Sequence, residues 1–257
     1  MFGILIGREN LRLFESLDWQ LESDRWCNPA VAYPTYYTCP AFHGIENGYL
    51  TEVAAITYDA VTAIATPPHE TWVRRQLLKA VNTSPQRILD LGCGTGSTTL
   101  LLKKMFPTAV VVGLDLSPYM LIVAESKAQR AGIEIDWQHG LAEGTGLEPN
   151  SFDVVTASFL FHETPPHIAQ TILNEGFRLV RPGGQVLILD GSQRKLRRLG
   201  WLIHLFREPY SAVYAAGCVD DWAKAAGFEQ VKTQALGWIH QLTQGTKPLT
   251  DPSVHQL

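Results

Sequence analysis

Cysteine is scarce in this 257-residue chain. Cys27, Cys39, Cys93 and Cys218 form no C-x-x-C pair and no cluster with histidine at zinc-ligand spacing, which argues against a disulfide framework and a metal site and for reduced thiols. An excess of charge of one sign is also missing. Lys plus Arg number 21 against 25 Asp plus Glu, a formal charge of -4, so no global field favours a phosphate backbone and nucleic acid is not an expected partner. No apolar run approaches the roughly 20 residues of a membrane span. The stretch Met1–Gly7 is apolar only until Arg8, Glu9 and Arg12 interrupt it, too short for a secretory signal. No internal repeat is visible. A cytoplasmic protein is the expectation.

What is present suits a folded α/β chain: 46% hydrophobic and 18% charged residues, enough for one sizeable core plus an extension. Leu11, Leu13, Phe14, Leu17 and Leu21 fall at helical spacing before Trp26-Cys-Asn-Pro29 stops the run. Residues 27 to 50 then carry Tyr33, Tyr36, Tyr37, Phe42, His43 and Tyr49, too many rings for a solvated loop, so this stretch is expected to pack on something. Residues 51 to 82 read as helical with a break at Pro67-Pro68.

From Ser84 short apolar strands alternate with amphipathic segments. Strands are predicted near 87–91, 109–115, 134–139, 152–158, 185–190 and 229–237, and helices near 97–106, 118–131, 165–180 and 209–227. That rhythm predicts right-handed βαβ crossovers, hence a mostly parallel, doubly wound sheet of Rossmann-like type covered on both faces, with ligands bound at the carboxyl ends of its strands. The chain divides into an extension (1–82), a cofactor domain (83–247) and a tail (248–257).

At the first strand end stands Ile88-Leu-Asp-Leu-Gly-Cys-Gly-Thr-Gly96, a glycine loop opening a helix. Glycines at alternate positions let a ligand lie against bare main chain. A dinucleotide loop would continue with glycine three residues after Gly94, where Ser97 stands instead. Asp90 beside the loop suits an ammonium group better than a pyrophosphate. S-adenosylmethionine carries an ammonium and no phosphate, so the residues favour it over NAD. The second strand ends in Asp115, placed to accept from both ribose hydroxyls.

These segments, with Ser151-Phe-Asp-Val-Val and Arg181-Pro-Gly-Gly184 further on, resemble the class I S-adenosylmethionine-dependent methyltransferases, within the small-molecule group that includes quinone C-methyltransferases. The resemblance spans about residues 51 to 245. It implies a seven-stranded sheet with an antiparallel last strand and the activity class EC 2.1.1.-. It further implies that Asp90, Gly92, Cys93, Gly94 and Gly96 surround the methionine end, that Asp115 holds the ribose, and that Leu116 and Met120 flank the adenine. Leu141 and Ala142 stand where many relatives have Asp-Ala for the adenine amino group; leucine cannot accept that bond, which shifts recognition to backbone and stacking. Tyr58, in Ala55-Ile-Thr-Tyr-Asp59, resembles a tyrosine that touches the cofactor, and Ser158 closes the set. Cys93 lacks an adjoining base and reads as loop filler, not as a nucleophile. Asp153 reads as structural and Pro182-Gly-Gly184 as a turn.

The acceptor is expected to be a small molecule. His162, after the fourth strand and before Thr164-Pro165, is the expected base or acceptor contact; Tyr37 and His43 of an aromatic lid are the other candidates. A nucleic-acid or protein methyltransferase is the alternative, but the flipped-base Asn/Asp-Pro-Pro-aromatic tetrad is replaced by Ser158-Phe-Leu-Phe161. A catalytically silent cofactor-binding module is a second alternative. Arg194-Lys-Leu-Arg-Arg198 ahead of the Trp-bearing run 199–206 reads as a helix over the acceptor pocket, with contact to an anionic membrane the other reading.

Overall fold

In a computed structural model, the described residues are 8–38, 42, 47–66, 68–200 and 209–249. Seven strands, β1 Arg87–Leu91, β2 Val110–Asp115, β3 Asp136–His139, β4 Phe152–Ser158, β5 Val180–Gly191, β6 Glu229–Leu236 and β7 His240–Thr246, form one sheet in the order β3-β2-β1-β4-β5-β7-β6. β1 to β5 pair in parallel, and β7 runs antiparallel to both β5 and β6. The doubly wound sheet with an antiparallel last strand is the expected fold.

Alternating side chains feed two apolar layers. Leu89, Leu91, Val155, Ala157, Val186 and Ile188 face one layer, with Ile172 and Leu173 of helix α8 (Pro166–Leu179). Ile88, Val111, Val154, Leu187 and Leu189 face the other, with Val73 and Leu77 of α5 (Glu70–Lys79) and Leu102 of α6 (Ser97–Met105). Every residue of β4 is buried, as a central parallel strand with both faces covered requires. The crossover α7 (Pro118–Ala131) begins where the Ser117 side chain accepts from Met120 N–H and Pro118 presets the first turn, and ends at left-handed Gly132.

Two readings are corrected. Pro182-Gly-Gly184 is not a free turn: it lies inside β5, at the register shift against Phe152 and Val154, with Gly183 at φ +80°. The helix expected over 209–227 is two, Ser211–Ala216 and Val219–Ala225, because Gly217 and Cys218 between them are extended; Gly217 also passes so close to Trp222 that a Cβ would stand 2.3 Å from the indole. A seventh strand, β7, follows where no separate one was placed.

The N-terminal part contributes α1 (Arg8–Ser16), α2 (Trp19–Trp26), α3 (Thr35–Thr38) and α4 (Glu52–Ala65). Thr51 caps α4 by accepting from Ala54 N–H. Trp19, Phe42, Tyr49, Ala54 and Ala55 pack with Met120, Ile122 and Val123 of α7 into a third cluster, and Trp19 stacks on Tyr119 at 6.3 Å. The aromatic stretch is therefore packed on the carboxyl end of the sheet. Arg197 donates to Ala215 O at 2.6 Å; residues 201–208, where the Trp-bearing run falls, lie outside the described residues. No helix among the described residues is long and apolar enough to cross a membrane.

Candidate active site

A cavity opens at the carboxyl ends of β1 to β4 beneath the aromatic stretch. Gly92 and Gly94 form its floor, Asp115, Leu116 and Met120 its β2 side, and Gly140, Ala142 and Glu143 its β3 side. Phe159, Leu160, Glu163 and Thr164 follow β4, while Tyr36, Tyr37, Phe42, Tyr49 and Tyr58 close the top.

The loop is left-handed at Gly92, Gly94 and Gly96, with φ of +62°, +53° and +75°. A Cβ on Gly94 would meet only Tyr58 Cε1 at 3.7 Å, so at Gly94 the loop lies bare toward the cavity, whereas a Cβ on Gly92 would stand 2.8 Å from Leu160 Cδ1. Gly96 needs its missing Cβ for another reason: that atom would stand 2.5 Å from Trp137 Cη2.

Asp115 is buried in the wall. Its Oδ2 accepts from Gly94 N–H at 2.6 Å and its Oδ1 from Ser117 N–H at 2.8 Å. Burial pushes its pKa up to about 6; the two N–H donors counter this and the negative charge of Glu163 adds to it. Asp90 sits one residue deeper than its strand end. It is enclosed, its oxygens accepting from Thr99 Oγ1 and Thr156 Oγ1, each at 2.7 Å, and burial raises its pKa despite these bonds.

Two tyrosine–carboxylate pairs face the same space. Tyr36 donates to Glu143 Oε1 and Tyr49 to Glu163 Oε1, both at 2.5 Å. Burial first, then the bond to Glu143, raises the Tyr36 phenol above its ordinary value. His139 at the end of β3 joins the layers: its Nδ1 accepts from Asn28 N–H at 3.1 Å, which leaves Nε2–H to donate to Leu116 O at 2.9 Å.

Of the residues expected at the site, Tyr37, Tyr58, Gly92, Gly94, Asp115, Leu116, Met120 and Ala142 line the cavity. Asp90, Cys93, Gly96, Leu141, Ser158 and His162 stand behind or beside that lining. Cys93 is buried with Leu100, Leu121 and Trp137, and burial lifts its thiol pKa well above the ordinary range. Ser158 accepts from Thr98 Oγ1 at 3.1 Å. Leu141 bridges Gly144 across a tight turn. His162 is held by Asp190. His43 lies outside the described residues. Glu143, Glu163 and Phe159 line the cavity without having been singled out; for the two acids the signal was an acidic residue just beyond a strand end.

A seven-stranded sheet in this order, a glycine loop after β1 and an acid ending β2 define the class I methyltransferase fold. A family profile described as "Methyltransferase domain" matches residues 88–184. The demethylmenaquinone methyltransferase of Thermus thermophilus is 37% identical over 119 residues, 46% of this chain and 53% of that protein. That of Lactococcus lactis is 35% identical over 142 residues, 54% and 56% of the two chains. The match thus spans about half the length of these curated relatives. Among solved structures, human N-acetylserotonin methyltransferase in complex with SAM is 18% identical with a TM-score of 0.62, covering 93% of this chain and 70% of that one. Haemonchus contortus phosphoethanolamine N-methyltransferase 2 is 16% identical with a TM-score of 0.64, covering 84% and 61%.

Proposed function

We propose that this protein binds S-adenosylmethionine and transfers its methyl group to a small planar acceptor of the hydroquinone class. The observation that carries the reading is the charge of the cavity: its wall holds Asp115, Glu143 and Glu163 and, among the described residues, no Lys or Arg, around a bare glycine loop. Such a wall favours a cationic ligand and disfavours a pyrophosphate. When bound, the cofactor supplies an electrophilic methyl on a positively charged sulfur.

The chain's own residues then bind, orient and exclude water. Gly92 and Gly94 would lie under the methionine portion and Tyr58 over it. Asp115 would accept from the ribose hydroxyls, and Leu116, Met120 and Ala142 would enclose the adenine. Tyr37, Phe42, Tyr49 and Phe159 line the cavity with rings, which suit a flat acceptor and face a cation favourably. The curated relatives named above are called demethylmenaquinone methyltransferases. A quinone ring is electron-poor and a poor nucleophile, so its reduced form is the reactive acceptor. Alignment of acceptor and methyl in a site closed to water supplies most of the acceleration.

The test is calorimetric titration of the full chain with S-adenosylmethionine, followed by transfer of labelled methyl to a prenylated 1,4-naphthohydroquinone. Binding in the micromolar range with transfer supports the reading. Binding without transfer to any hydroquinone would favour a silent module, and no binding would overturn it.

A further inference from the structure

Behind the cavity wall at the end of β4, four groups stand in series. Asp190, fully buried on β5, accepts at Oδ2 from Phe161 N–H at 2.9 Å and His162 N–H at 3.3 Å, and at Oδ1 from Gly191 N–H at 2.6 Å. The same Oδ1 faces His162 Nδ1 at 2.6 Å. An ionised Asp190 surrounded by donors places the proton of neutral His162 on Nδ1 and leaves the Nε2 lone pair as acceptor. That Nε2 lies 3.7 Å from Glu163 Oε1, which in turn accepts from Tyr49 O–H at 2.5 Å. Only Glu163 and Tyr49 of the four line the cavity. Tyr214 meets the His162 ring edge-on at 6.3 Å; His240, near enough to Asp190 and His162 to feel their charges, is held neutral by burial, its pKa pressed to about 4.

Resting on the methyl-transfer reading, we propose that Glu163, His162 and Asp190 form a proton relay that receives the hydroxyl proton of the acceptor. The acceptor's O–H bond breaks and its electron pair enters the conjugated ring, from which a pair forms the new bond to the methyl carbon. The C–S pair returns to sulfur, which becomes a neutral thioether, and the methylated ring carbon then gives up its own hydrogen as a proton while the carbonyl oxygen takes one back, restoring the aromatic hydroquinone. The hydroxyl proton moves to Glu163 and on to His162 Nε2, where Asp190 balances the imidazolium charge, and later leaves to solvent. Glu163 is the proton acceptor that meets the substrate. Asp190 is a positioning residue acting through His162, since its replacement by Asn would turn an amide N–H toward Nδ1 and reverse the tautomer.

Two variants test the relay. Glu163→Gln keeps an acceptor for Tyr49 and Asp190→Asn keeps the side-chain shape; thermal melting establishes that each is folded. Asp190→Asn, behind the wall, is expected to bind S-adenosylmethionine within about twofold of wild type, whereas Glu163→Gln, which removes one of the three wall carboxylates, should bind it several-fold more weakly; with cofactor saturating, both should keep the acceptor KM within about threefold while kcat falls on the order of 10²-fold. The deficit should shrink with a hydroquinone made more acidic by an electron-withdrawing substituent, because it arrives already ionised; a residue that only shaped the pocket would slow both acceptors equally. Wild-type kcat in both variants, or equal deficits on the two acceptors, would overturn the relay. If the wild type binds the cofactor but methylates neither hydroquinone, the relay falls and cofactor binding stands. Absence of cofactor binding would instead sink the underlying reading.

Discussion

The N–H of Gly94 donates to Asp115 Oδ2 at 2.6 Å, tying the glycine loop after β1 to the carboxylate that ends β2. One carboxylate thus shapes the loop and stands in the cavity wall. Burial raises its pKa to about 6 from an ordinary value near 4. Between those values the folded protein binds more protons than the unfolded one, so the contribution of Asp115 to stability falls as pH rises through that window. Ligand binding runs the other way, because ribose hydroxyls need the ionised acceptor. Affinity for S-adenosylhomocysteine is expected to weaken by up to about tenfold per pH unit below about 6. Asp115→Asn should bind weakly with a flat profile, and calorimetry from pH 5 to 8 checks both.

Gly94 and Gly96 differ in what a side chain would cost. Gly94→Val adds left-handed strain of roughly 1–2 kcal/mol and puts methyls toward the cavity, so the protein should fold and lose cofactor binding. Gly96→Ala forces a Cβ against Trp137 and Ala124 within the apolar cluster and should lower the melting temperature more than Gly94→Ala does. Melting curves beside calorimetry separate the two effects.

Asp59 bolts α4 to the glycine loop. It accepts from Thr95 Oγ1 at 2.5 Å and from Lys127 Nζ at 2.7 Å. Burial alone would raise its pKa, but Lys127 and Thr95 outweigh it and hold the carboxyl below its ordinary value. The partial exposure of the pair discounts its contribution to about 1 kcal/mol. Asp59→Asn should therefore melt a few degrees lower, and because Tyr58 adjoins it, cofactor affinity should drop several-fold. Unchanged affinity in a titration would separate Tyr58 placement from this tether.

Asp153 ties the start of β1 to β4 and lies outside the cavity lining. Its Oδ2 accepts from Gln86 N–H at 2.7 Å and Arg87 N–H at 2.9 Å, and Oδ1 pairs with Arg181. Asp153→Ala strands two N–H groups at the start of β1, a loss of about 1–3 kcal/mol, or roughly 2–4 °C of melting temperature per kcal/mol for a chain of this size. Cofactor affinity should not change, and a calorimetric and thermal comparison with wild type checks the pair of expectations.

Local pattern in the sequence was sufficient for β1 to β4, of which β1 and β3 run into glycine and β2 ends at an acid, and for α7, framed by Ser117-Pro118 and Gly132. It also marked Asp115 and the bare glycines, because a strand end and a loop lacking Cβ atoms are properties of adjacent residues. It could not separate Asp90 from Asp115. Both read as strand-end acids, yet Asp90 sits one residue inside β1, where Thr99 of α6 and Thr156 of β4 close over it. The pairings at the far side of the cavity were decided by tertiary structure. Tyr36 meets Glu143 across 107 residues and Tyr49 meets Glu163 across 114, and Asp190 reaches His162 from a different strand. No period of 2 or 3.6 residues encodes such contacts; they exist because the doubly wound sheet brings its strand ends to one edge, and packing of the aromatic segment against α7 lays its rings over that edge.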